Sequence, residues 1–120
     1  MKAMILAYEA PGDFAKRADK ALYKAYTDSW YAFGGALEKA GILRNGAALQ
    51  GPESATVLSM NGDRRVVEDG PYSDSKEQLG GFFVIEVASM DEAVDWAEKC
   101  PAAKGGRVDV HVVPEYGSEE

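Results

Sequence analysis

The sequence predicts an α+β fold with two helices on one face of an antiparallel sheet. Three observations carry that prediction. Segments of strand period and helix period follow one another as strand, long helix, strand, and later as strand, short helix, strand. A hairpin signal separates the two units. Right-handed crossovers within each unit bring both helices to the same side of the sheet, a ferredoxin-like protomer. At 120 residues one domain is expected over 1–120, with 114–120 as a frayed acidic tail.

Residues 2–9 alternate Met4, Leu6 and Tyr8 with Ala3, Ile5 and Ala7, so the first strand is apolar on both faces and is expected to be covered on both. Pro11-Gly12-Asp13 breaks it. From about Asp19 to Ala40, the residues Leu22, Tyr26, Trp30, Phe33, Leu37 and Ala40 recur at steps of three or four. That spacing is one stripe of an amphipathic helix, stopped by Gly41 at C′. Gly34-Gly35 lowers helix propensity inside it, by roughly 1 kcal/mol per residue, and implies close packing or a bend. Residues 42–50 are extended but interrupted by Asn45-Gly46. Residues 54–60 and 64–68 read as a hairpin around Asn61-Gly62. A strand from about Gly81 to Ala88 follows. Ser89-Met90-Asp91-Glu92 is a capping box that opens a helix with Met90, Ala93, Val94 and Ala97 inward. Pro101 halts that helix, and residues 107–113 form the last strand.

Composition excludes several functions. The net charge of −7 argues against nucleic-acid binding and against anionic membrane surfaces. A single cysteine, Cys100, permits no internal disulfide and fits a reducing, cytoplasmic setting. No apolar run reaches the ~18 residues of a membrane span. One histidine provides too few ligands for a metal site, and no Gly-x-Gly-x-x-Gly, P-loop or nucleophile elbow is present, so no metal or cofactor is expected.

Covering one sheet face with helices leaves the other to be explained. In the central strand Phe82, Val84 and Glu86 oppose Phe83, Ile85 and Val87, and neither set is polar enough for water. A second copy is the expected cover, giving a homodimer with its sheets face to face.

The candidate site lies between hairpin and central strand. Asp69-Gly70-Pro71-Tyr72 is a turn, and Asp74, Lys76 and Glu77 follow before Gly80-Gly81 lead into the strand. Asp69 is either a turn cap or a ligand contact. Lys76 and Glu77, being adjacent, face opposite sides of an extended segment. On the last strand His111, which titrates near neutrality, shares a face with Asp109 at i, i+2, and the two are candidates for acid–base work. Tyr8, Tyr26, Trp30 and Tyr72 are core residues whose polar ends suit a pocket wall.

The stretch from Asp69 to Phe82 resembles the YCII-related family, in the branch named for its Asp-Gly-Pro-Phe motif. The likeness extends through Met4-Ile5-Leu6, Ala40-Gly41-Ile42-Leu43, Asp91-Glu92-Ala93, Trp96-Ala97 and the closing valine-rich strand. Tyr72 stands for the family's Phe and Asp74 for its commoner Glu. The resemblance implies a dimeric α/β barrel with a ferredoxin-like protomer. The residues themselves suggest a pocket near the Asp-Gly-Pro-Tyr loop, with Asp69, Tyr72, Lys76, Glu77 and Trp30 as ligand-binding candidates. In some members a His–Asp pair occupies the pocket, its histidine on the first long helix. Here that helix has no histidine, and Trp30 lies near the place. The function expected is a small-molecule-binding protein or enzyme. The alternative is a regulatory module acting with a sigma factor.

Overall fold

The computed structural model describes residues 1–70 and 77–115. Four strands form one antiparallel sheet in the spatial order β2-β5-β1-β6: β1 (Lys2–Glu9), β2 (Leu43–Ala48), β5 (Gln78–Glu86) and β6 (Arg107–Val113). Between β1 and β2 run a one-turn helix, α1 (Pro11–Ala15), and the long α2 (Lys20–Lys39). Helix α3 (Met90–Ala97) joins β5 to β6. The inserted hairpin, β3 (Thr56–Asn61) and β4 (Arg64–Asp69), is a separate two-stranded sheet. This is the ferredoxin-like arrangement that the pattern of segments predicts.

Capping sets the helix limits. The Asp19 side chain accepts from the Ala21 N–H at 2.9 Å, and Gly41, at φ +76°, follows the last turn of α2. Ser89 Oγ accepts from the Glu92 N–H, while the Glu92 carboxylate reaches back to the N–H of Ala88. The Pro11 break opens α1 instead of a loop, because proline at the first helical position lacks a donor that would be unpaired anyway.

Helices α2 and α3 cover the face of Ala3, Ile5, Ala7 and Ile85, where Phe33, Leu37, Ala93 and Ala97 complete the core. The stripe is narrower than its spacing suggests. Leu22 in the first turn of α2, Ala40 just past its end, and Met90 and Val94, which line an open groove beside α3, are exposed. On the helix-free face the register aligns Met4 with Val84 and His111, and Leu6 with Phe82 and Asp109; these residues are only half-buried or exposed. Within this chain β1 is therefore covered on one face, not on both.

Two boundaries differ from expectation. The hairpin turn is Gly62-Asp63, with Asn61 paired to Arg64; Gly62 supplies the one positive φ that a turn with glycine first requires. Strand β5 begins at Gln78, so Gly80 and Gly81 lie inside it. The pairing slips between Ala7 and Tyr8, leaving Gly80 as the extra residue of a bulge. Among the described residues no helix is long and apolar enough to cross a membrane, and no three His, Cys, Asp or Glu side chains converge as a metal site.

Candidate functional site

Small residues open a cavity between α2 and the β2–β5 edge. Gly34 and Gly35 on the helix face Gly46, Ala47 and Ala48 on β2, and the missing side chains leave about 670 Å³ walled by Tyr26, Trp30, Leu43 and Phe83. At Gly46 a Cβ would stand 3.0 Å from the Phe82 carbonyl oxygen, so close approach of strand to strand requires glycine there. Trp30 stacks on Phe83 with ring planes 9° apart, and Phe33 meets Phe83 edge-on at 5.0 Å. The Trp30 indole Nε1–H is buried and has no hydrogen-bond partner among the described residues.

The polar end of this cavity is Glu9. It ends β1 on the inward face, 1% exposed, where the same alternation elsewhere places alanine and isoleucine. An isolated carboxylate there would be costly, and two donors offset that. Tyr26 donates its hydroxyl to Glu9 Oε1, and Arg17 Nη2 donates to Oε2 at 2.9 Å. Arg17 Nε also donates to the Tyr26 oxygen at 3.1 Å, and Nη1 to the Leu49 carbonyl beyond β2. Arg17 thus ties the α1–α2 link to β1, α2 and the far end of β2. Burial, then the hydrogen bond to Glu9, pushes the Tyr26 hydroxyl up to about 12, so it is a neutral donor at physiological pH. The arrangement offers a carboxylate base, a phenol acid and a guanidinium within hydrogen-bonding distance of one another.

The YCII-related domain matches residues 1–115. The chain belongs to the YCII-related family. A stretch of 59 residues is 42% identical to an uncharacterised protein of Rhizobium meliloti (strain 1021), covering 49% of this chain and 48% of that one; the match spans about half the relative's length. Among solved structures, a 5-chloro-2-hydroxyhydroquinone dehydrochlorinase from Burkholderia phenoliruptrix AC1100, in complex with 2,5-dihydroxybenzoquinone, superposes with a TM-score of 0.53 at 19% identity, over 95% of this chain and 94% of that one. At that identity the likeness is one of fold.

The residues singled out by motif and by family resemblance fall in four places. Trp30 is in the cavity wall. Asp69 ends β4, exposed, in register with Thr56, and makes no side-chain hydrogen bond among the described residues. Its neighbour Gly70, at φ +86°, donates its N–H to Ala55. Tyr72, Asp74 and Lys76 lie outside the described residues. Glu77 lies 3.9 Å from Arg107, whose guanidinium also covers the Tyr8 ring and reaches Asp109 at 3.1 Å. Asp109 therefore pairs with Arg107 rather than with His111, which is exposed; both line an open groove beside α3, away from Glu9. The family's His–Asp pair has no counterpart among these groups. Sequence reasoning passed over Glu9 and Arg17 and left Tyr26 in the core. A signal for Glu9 did exist: its parity on β1 is that of Ala3, Ile5 and Ala7.

Proposed function

We propose that this YCII-related protein binds, and as an enzyme transforms, a small planar ligand in the cavity between α2 and the β2–β5 edge. One observation carries the reading: a buried carboxylate, held by a phenol and a guanidinium, ends a cavity otherwise walled by aromatic rings and glycines. Stacked rings favour a flat ligand, and Glu9 is the base that takes a proton from a ligand hydroxyl, leaving the ligand oxygen as its anion, while the Tyr26 hydroxyl and Arg17 donate to the carboxylate. The dehydrochlorinase of the same fold holds a planar dihydroxylated quinone, which supports this ligand shape. Gly80 and Gly81, which follow the Asp-Gly-Pro-Tyr motif and Lys76 closely in sequence, line the cavity, and this supports a ligand-facing role for Lys76.

Titration with simple phenols and benzoquinones, followed by quenching of Trp30 fluorescence in a Trp96→Phe background, tests the reading. Saturable binding is expected, at least tenfold weaker in Tyr26→Phe and Glu9→Gln. Binding indifferent to both substitutions overturns it. Lys76→Ala is expected to weaken binding while leaving the melting temperature unchanged.

A homodimer is proposed alongside. The half-covered sheet face of Met4, Leu6, Phe82 and Val84, and the hairpin's exposed Leu58, Met60 and Val67, support a second copy as their cover. Light scattering at micromolar concentration is expected to give twice the chain mass, and a monomer refutes the proposal.

A further inference from the structure

A second cavity, of about 300 Å³, also meets Glu9. The positions of its α2 lining define where it lies. Leu22, Ala25 and Ser29 belong to the smaller cavity, while Tyr23, Thr27, Tyr31 and Gly34 belong to the larger. These two sets are opposite flanks of one helix, and Tyr26 and Trp30 are the ridge between them, shared by both cavities together with Glu9. The smaller space is closed on its far side by Pro101, Ala102 and Lys104, in the link between α3 and β6.

Charge distinguishes the two chambers. In the smaller one Asp13 pairs with Lys16 at 3.1 Å, and Glu9 is paired with Arg17 from the other side of the ridge. Lys104 has no ion-pair partner among the described residues. Its backbone is held by a short 3-10 turn over Pro101–Ala103, and the following Gly106 N–H donates to Ala102 at 3.2 Å, so the lysine is carried on a fixed loop. Of the two carboxylates and two lysines that line the chamber, Lys104 is thus the one left without an ion pair among the described residues. The ridge contributes a second unmet need, the buried Nε1–H of Trp30, which has no acceptor among the described residues.

We infer that the site is two-chambered, and that the smaller chamber receives a carboxylate carried by the ligand, facing Lys104, while the planar part occupies the larger. This rests on the reading that the larger cavity binds a planar ligand, and it adds a substrate class: aromatic acids in preference to the corresponding neutral phenols.

Matched pairs test it by calorimetry: hydroquinone with 2,5-dihydroxybenzoate, and phenol with 4-hydroxybenzoate. The acid of each pair is expected to bind the wild-type protein about fivefold more tightly, the range of a solvent-accessible ion pair. In Lys104→Met that preference disappears while the neutral member binds as before, and in Lys20→Met, which alters an exposed lysine outside both cavities, the preference persists. Added salt reduces the preference in the wild type. Neutral phenols that bind with no preference for the acid, or a preference that survives Lys104→Met, overturn the second chamber and leave the larger cavity's role intact. Failure of all four compounds to bind overturns both.

Discussion

Gly80 and Glu9 compete for one space: a Cβ on Gly80 would stand 2.9 Å from Cδ of Glu9 and overlap its Oε2. The bulge in β5 places the backbone of Gly80 there, so glycine at this position is a condition for a buried carboxylate at the end of β1. Gly80→Ala forces Glu9 away from Arg17 and Tyr26. A loss of roughly 1–3 kcal/mol in chemical denaturation is expected, the usual cost of overpacking, together with weaker ligand binding. Unchanged stability would show that Glu9 moves freely and is not fixed by its donors.

Arg17 and Glu9 should not be equivalent when removed. Arg17→Ala leaves a carboxylate only 2% exposed with one remaining partner, whereas Glu9→Ala leaves a guanidinium that is 26% exposed and open to water. The first is expected to cost about 3–5 kcal/mol and the second about 1–3 kcal/mol. Urea melts of the two variants decide the order, and a reversed order would place the strain of the site on Arg17.

The fold was legible because its signals are local and agree with one another. Asp19 and Gly41 bracket α2, Ser89 and Glu92 open α3, and strand parity on β1 separates Ala3, Ile5 and Ala7 from Met4, Leu6 and Tyr8. The polar site was not legible, because it is assembled from three elements. Glu9 ends a strand, Arg17 lies in a link between helices, and Tyr26 sits mid-helix in a stripe of apolar residues. Nothing in their sequence spacing joins them. The His111–Asp109 pairing failed for a related reason: strand period places them on one face, but Arg107, on that same face, is the nearer partner for Asp109. The turn at Gly62-Asp63 was displaced by one residue because Asn61 pairs in the ladder and only one positive φ was needed.

Gly35 offers the opposite case to Gly80. It is exposed in the interior of α2, and a Cβ there meets nothing within 4 Å. Gly35→Ala is expected to stabilise the protein by up to about 1 kcal/mol through helix propensity and reduced freedom of the unfolded chain. Because Gly35 lines the larger cavity, the same methyl group should lower ligand affinity. A rise in melting temperature with undiminished affinity would mean that the ligand does not approach this turn of α2.

Tyr26 gives the site a signature at alkaline pH. Its hydroxyl is pushed up to about 12 by burial and by its bond to Glu9, whereas a tyrosine in an unfolded chain ionises near ~10. Between those values the native protein holds a proton that the unfolded chain has released. Stability must therefore fall as pH rises across that window, and the contribution of Tyr26 is fully present below its lower end. Tyr26→Phe removes the difference, so its stability should decline less steeply there than that of the wild type. The near-ultraviolet phenolate titration of the folded protein should likewise lose its late component in the variant, since Tyr26 is one of six tyrosines. If the variant instead loses a phenol that ionises near 10, Tyr26 is hydrated and unbonded in solution, and Glu9 has Arg17 as its one remaining donor.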